Sequence, residues 1–391
     1  MHKSLIAAAA WLLPFTCSAQ SYTEYDKNTD KLVLSNALLA TDNINPLKSE
    51  DKSALGWQLD AHGALVALGE GQQYKLLYGA TLNQWQQQPA SLLQDNSFFQ
   101  GEIAAHGRWH LSQAWQLNGS AGYQHTDQMP GTGLSRLRED IVATDSRKYS
   151  DAQLGLSYGH DASARRLSLN YHHGAVRYSG DNAYLDEFEL DQTTLTGTIA
   201  FRLSAATRFI LELENQQDDY LAVTRFDSDK NKVLAGIEWD YSGLTRIKAL
   251  VGAYKRETEQ RPDTDGSAWQ LSLNYRPRED TGIRIESSQD SVAGDSELAS
   301  DSRMRSLLLE LTYRYSQLWQ WGLLLNTSET RFEEAVQVRF LDEKLARVWV
   351  ALALQQQHQF RLSLQYKDNQ LSDNTVDYQQ SQIMASWQYR F

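Results

Sequence analysis

Apolar and polar residues change places at every step along most of this chain. In Trp269-Gln-Leu271-Ser-Leu273-Asn-Tyr275 the odd positions are apolar and the even ones polar. The pattern returns at Leu307, Leu309, Leu311 and Tyr313, at Val348, Val350, Leu352 and Leu354, at Leu362, Leu364 and Tyr366, and at Leu167, Leu169 and Tyr171. The last residues, Ser-Trp387-Gln-Tyr389-Arg-Phe391, end the chain on the same beat. A period of two belongs to a β-strand with one apolar and one polar face. No stretch carries a helical period or a Gly-rich linker, so 391 residues read as one sheet-built domain.

The connections between alternating stretches themselves alternate. Short ones fall near 69–72, 111–114, 160–165, 203–207, 241–244, 276–281, 315–318 and 356–359. Long polar ones fall near 40–54, 84–96, 126–147, 178–190, 216–229, 257–265, 289–301, 329–343 and 369–376. Short turns at one end and long loops at the other are the layout of a transmembrane antiparallel up-and-down β-barrel. Counting a strand on each side of every loop predicts about 18 strands, the first near 30–40 and the last at 377–391. A soluble β-sandwich also alternates. Here, however, aromatic residues gather on the apolar face at the short-turn ends: Trp109, Trp115, Trp239, Tyr241, Tyr275, Tyr313, Tyr315, Trp319, Trp387 and Tyr389. Rings placed there suit the headgroup level of a bilayer.

The first residues, with basic Lys3, apolar Leu5 to Phe15 and small Ser18-Ala19, predict a signal peptide over 1–19. Residues 20–30 then form a periplasmic lead-in and 31–391 the barrel, in the outer membrane of a Gram-negative bacterium. The only cysteine, Cys17, would leave with the signal, which excludes thiol and disulfide chemistry in the mature chain. A net charge of −12 disfavours nucleic acid as a partner. Mean hydropathy of −0.54, with no run of 18 apolar residues after residue 20, excludes a helical membrane protein.

No enzyme signature is present: there is no G-x-S-x-G and no H-E-x-x-H. Adjacent His172 and His173 would point to opposite faces of a strand, so they cannot share an ion. The acidic runs Glu214–Tyr220 and Asp263–Gly266 allow Ca²⁺ or, as the preferred reading, solvated loops bridged to lipopolysaccharide. The expectation is a non-enzyme with no metal or cofactor.

One constellation carries a functional expectation. Arg108, Arg166, Arg202, Arg208, Arg246, Arg276, Arg314, Arg361 and Arg390 occupy polar-face positions close to short turns. A ring of arginines around a lumen favours anions, because a guanidinium grips carboxylate or phosphate in two bonds. The alternative is structural pairing with lumenal acids such as Glu212, Glu214, Glu238, Asp240 and Glu310.

Three stretches stand out beside the alternation: Thr41–Pro46 (TDNINP), Gly133–Asp151 (GLSRLREDIVATDSRKYSD) and the closing WQYRF. With them the whole stretch from about 30 to 391 resembles a family of barrel proteins encoded with bacterial exopolysaccharide biosynthesis and export genes. The resemblance implies a part in moving or anchoring a secreted polysaccharide, with periplasmic export proteins as partners. Ile383, Ala385, Trp387, Tyr389 and Phe391 look like the signal that the barrel-assembly machinery reads. Outer-membrane lipids and lipopolysaccharide complete the expected surroundings. A second reading is a general or anion-preferring diffusion porin, with the loop 126–147 and its Arg136, Arg138, Glu139 and Asp140 folded in as an eyelet. A third is a plugged structural or adhesion barrel.

Overall fold

A computed structural model describes residues 32–44, 52–87, 96–128, 144–160, 163–182, 184–259, 263–292, 302–333, 338–354, 357–372 and 377–391. The expected signal peptide and lead-in, and the four charged residues of the expected eyelet, lie outside the described residues. Eighteen strands follow one another: β1 Val33–Thr41, β2 Ala54–Gly69, β3 Gln72–Trp85, β4 Ser97–His110, β5 Trp115–Gln128, β6 Asp145–Tyr158, β7 Arg165–Ser179, β8 Leu190–Arg202, β9 Thr207–Tyr220, β10 Ser228–Tyr241, β11 Thr245–Thr258, β12 Thr264–Arg278, β13 Thr281–Val292, β14 Ser302–Arg314, β15 Trp319–Glu333, β16 Val338–Leu354, β17 His358–Leu371 and β18 Asp377–Arg390.

Each strand pairs antiparallel with the next, and β1 pairs with β18 from Val33↔Arg390 to Thr41↔Gln382. The sheet is therefore a closed antiparallel barrel with no free edge, the only sheet a bilayer tolerates. Closure extends to the last residue, since Phe391 N–H donates to the Leu32 carbonyl at 2.9 Å.

Register fixes the faces. Ile383, Ala385, Trp387 and Tyr389 of β18 lie beside Leu364, Leu362, Phe360 and His358 of β17, and these beside Val348, Val350, Leu352 and Leu354 of β16. Leu364 and Ile383 are each 50% exposed, and so face the lipid. At the short-turn level the rings meet in pairs: Trp239 stacks on Tyr241 at 5.3 Å, Trp115 lies tilted against Tyr158 at 5.0 Å, and Tyr389 meets Phe391 edge-on at 4.6 Å.

The strands reach further than the alternation suggests. β9 runs to Tyr220 and β10 begins at Ser228, so much of the expected loop 216–229 is ladder. β15 and β16 likewise take in both flanks of 329–343. A bilayer needs only about 9–11 residues per tilted strand. The upper parts of these 13–17-residue strands stand outside the apolar belt, where both faces are polar and the period fades while backbone pairing continues. The two acidic runs read as loops therefore lie largely within β9 and β12.

Candidate functional site

Among the described residues, charge at the level of the apolar belt is concentrated on the lumenal face. Eight of the nine arginines singled out by their proximity to short turns have lumenal register: Arg108, Arg166, Arg202, Arg208, Arg246, Arg314, Arg361 and Arg390. Arg276 lies in a bulge between Tyr275 and Arg278, where the β12–β13 register shifts, so alternation does not assign its face.

These arginines do not behave as one group. Arg208 meets Glu238 at 3.6 Å and Arg246 meets Asp240 at 2.7 Å, which is the structural pairing. Arg202 and Arg208 face each other directly across β8 and β9.

On β16–β18 the arrangement differs. Arg361 stacks on the Trp349 indole, 4.5 Å from its centroid. Trp349 in turn lies over Gly322 of β15, where a Cβ would overlap the indole ring, so only glycine leaves the slot that Trp349 fills. Arg347 shares this face and donates from Nε to Gln365 Oε1 at 2.9 Å, with a second contact from its terminal nitrogen to the same oxygen. Arg390 donates to Gln359 at 3.2 Å. Among the described residues neither Arg347 nor Arg361 meets a carboxylate within ion-pair distance; their partners are an amide and an indole.

Arg347 is level with Gln365, four residues above Arg361, and Tyr389, the neighbour of Arg390, is level with His358. At about 3.4 Å per residue the guanidinium-bearing positions climb the wall in steps of about 13 Å. Lys367, two residues beyond Gln365, continues the series. Glu343, four residues above Arg347 on the same face of β16, lies beside Lys367. Further carboxylates stand beyond β1: Asp60, which accepts from Thr81 at 2.9 Å and pairs with His62 at 2.7 Å, then Glu102 and Asp151 on β4 and β6.

A second assembly closes part of the lumen near its extracellular end. The β12–β13 ladder stops at Trp269↔Gln289, although β11–β12 continues to Arg256↔Thr264 and β13–β14 to Val292↔Ser302. Above that level Asp290–Val292 parts from β12 while staying paired with β14, itself paired with β15, and its side chains lie against the lumenal face of β9–β11. Asp290 reaches Lys232 at 2.5 Å and Lys230 at 3.5 Å, and both lysines also meet Glu214, at 3.0 and 3.2 Å. Arg256 pairs with Asp218 at 2.7 Å and donates to Ser291 Oγ at 2.8 Å. Arg303 donates to Tyr254 Oη at 3.1 Å. The groups are almost fully buried: Asp218 is 0%, Arg256 1%, Ser291 1% and Lys230 3% exposed. Buried ions cost several kcal/mol each unless paired and hydrogen-bonded. Asp218 meets that requirement with Arg256, Gln192 and Gln216.

Two short 3₁₀ turns, Leu185–Phe188 and Thr224–Phe226, pack together beside this assembly through Phe188, Phe226 and Tyr220. Tyr184 Oη donates to the buried Asp145 carboxylate at 2.8 Å. His172 faces the lumen with Tyr149, while His173 faces outward beside Thr193.

No family model matches the sequence, and no curated protein matches it. Solved structures of similar architecture include a BenF-like porin from Pseudomonas fluorescens Pf-5, with 10% identity, TM-score 0.48, and 93% of this chain and 99% of that one covered. OccAB2 of Acinetobacter baumannii matches at 13% identity and TM-score 0.43, covering 94% and 100%. The siderophore receptor PirA of Acinetobacter baumannii matches at 7% and 0.46, covering 94% and 81%. The barrel assignment rests on the closed register of this chain, not on these likenesses.

Proposed function

We propose that this chain is an outer-membrane channel that passes small anionic solutes. The observation that supports this reading is the series Arg390, Arg361, Arg347 and Lys367 on one lumenal wall, with Arg347 and Arg361 held by neutral partners only. A guanidinium that is positioned but not neutralised raises the local concentration of anions and lowers that of cations. A carboxylate moving along the wall finds a planar donor fork about every 13 Å. The protein is read as a non-enzyme. The lipid-facing residues Ile383, Ala385, Trp387, Tyr389 and Phe391 are the part offered to the barrel-assembly machinery.

The resemblance to exopolysaccharide barrels directs the same cationic wall toward an acidic polymer. Sugar rings stack on open aromatic faces. Among the lumen-facing rings Trp85, Phe98, Tyr254, Phe332 and Trp349 are 5% exposed or less while Tyr149 is half-buried, so few open faces are offered to a sugar, which favours the small solute.

Swelling of proteoliposomes in gluconate, sorbitol and N-methylglucamine tests the proposal with solutes of nearly equal size and different charge. The expected order of rates is gluconate, then sorbitol, then N-methylglucamine. Equal rates, or the cation fastest, would overturn it. Current blocked by an acidic polysaccharide but unaffected by gluconate would shift the reading to the polymer.

A further inference from the structure

The outward face of β5–β7 changes character along the strands. From the short turns upward it carries Trp115, Leu117, Ala121 and Tyr123 on β5, Leu156 and Leu154 on β6, and Leu167, Leu169 and Tyr171 on β7. Tyr123, Leu154, Leu169 and Tyr171 are exposed, and so face the lipid. Further up the same face stand His125, Lys148 and Arg177, which are direct ladder neighbours, His125↔Lys148 and Lys148↔Arg177. Each is ten residues above Trp115, Tyr158 or Leu167, the neighbours that start the three strands at the short-turn level. At about 3.4 Å per residue and a tilt of about 40°, ten residues rise about 26 Å, against an apolar band about 25 Å tall. The row therefore lies at the headgroup level of the outer leaflet. Phe99, 5.9 Å from the His125 ring, and Tyr123 beneath it give that level its exposed aromatic rings.

The row is not neutralised within the wall. Arg177 is held in place: its Nη1 donates to the Val176 and Leu190 carbonyls at 2.8 and 3.0 Å and its Nη2 to Asp191 at 2.7 Å, with 36% of the side chain left exposed. His125 meets Asp127 at 3.2 Å, and Asp127 also accepts from Ser146 at 2.7 Å and from Phe99 N–H at 2.8 Å. Lys148, between Arg177 and His125, has no hydrogen-bond or ion-pair partner among the described residues. Other outward cations above the belt are matched. Lys255 meets Glu257 at 2.6 Å, Lys344 meets Asp368 at 3.8 Å and Arg305 meets Glu329 at 3.8 Å.

We propose that Lys148 and Arg177 hold a phosphate of lipid A, the phosphorylated glycolipid of the outer leaflet, against the outside of the barrel. A fixed guanidinium and a mobile ammonium on adjacent strands can both donate to one phosphate. The occupant is a lipid and not a free anion, because the apolar face directly below, from Tyr123 to Leu154 and Tyr171, is there to be covered by acyl chains. The site rests on the barrel and its orientation and is independent of the channel reading.

Native mass spectrometry of the refolded barrel, titrated in detergent with diphosphoryl lipid A in the presence of EDTA, tests the site. Counting each contact to a charged group as about tenfold, one copy should bind about a hundredfold more tightly than lipid A stripped of its phosphates. Lys148→Gln should weaken the diphosphoryl form about tenfold and leave the phosphate-free form unchanged, while Lys148→Arg should bind as the wild type does. Gel mobility of the unheated protein reports that each variant is folded. The wild type alone gives a second reading, since the advantage of the diphosphoryl form should shrink in about 1 M salt. Wild-type affinity in Lys148→Gln, equal binding of the two lipid A forms or an advantage insensitive to salt would overturn the proposal. Binding seen only without EDTA would assign the contact to bridging cations and overturn it. Equal affinity for phosphatidylglycerol, or equal competition by inorganic phosphate, would overturn the assignment to lipid A.

Discussion

Replacing Asp218 with alanine is expected to lower the stability of the folded barrel by about 3–5 kcal/mol. The carboxylate is fully buried and accepts from Arg256 at 2.7 Å, from Gln192 at 2.7 Å and from Gln216 at 2.9 Å. Alanine takes the paired carboxylate from the guanidinium of Arg256, which stays inside the wall donating to the hydroxyls of Ser228 and Ser291. The cost is that of an uncompensated buried charge, not that of one lost contact. Replacing both partners at once, Asp218→Leu with Arg256→Met, should recover most of the loss, because an apolar pair of similar volume needs no desolvation of charge. Urea titration of the refolded barrel in vesicles, read from the gel mobility of the folded form, measures both. A loss below about 1 kcal/mol for the single variant, within the range of an exposed ion pair, would contradict the burial assigned to this network.

Converting Arg347 and Arg361 together to glutamine is expected to lower the anion-to-cation permeability ratio about tenfold. A unit charge about 8 Å from a passing ion contributes about 0.5 kcal/mol in water and about 2 kcal/mol at an effective dielectric of 20. Each arginine favours the anion and disfavours the cation, so the two effects add in the ratio. High salt should shrink the difference, since the Debye length falls to about 3 Å at 1 M. Removing a whole pair, as in Arg208→Gln with Glu238→Gln, should change the ratio far less, because the two charges already offset each other. Equal effects from the double arginine variant and the removed pair would remove the distinction drawn between the two walls.

The architecture was legible because a barrel wall repeats one instruction. Lipid on one side and a polar lumen on the other force the side chains to alternate, so Trp269 to Tyr275 declares both a strand and its orientation. Strand ends were less legible, since above the belt residues such as Gln217 and Asp219 of β9 face water while their inward neighbours stay polar. The lumen's division into paired and unpaired arginines could not be read from the chain. Arg246 and Arg361 look alike in sequence, and only the neighbouring strand decides that one meets Asp240 and the other Trp349. Arg347 carried a usable signal that the emphasis on short turns passed over: it alternates with Val348 and so belongs to the same face as Arg361. The buried ionic network had no such signal. Asp218, Lys230, Arg256 and Asp290 lie on four strands, and a buried ion pair and a solvated one follow the same alternation.

The central claim is that an open lumen with a cationic wall prefers anions, and the reversal potential of the wild-type channel in a planar bilayer under a potassium chloride gradient tests it most directly. The account predicts a steady current with chloride more permeant than potassium. A steady current with potassium more permeant would contradict it, and so would a correctly folded barrel that carries no current.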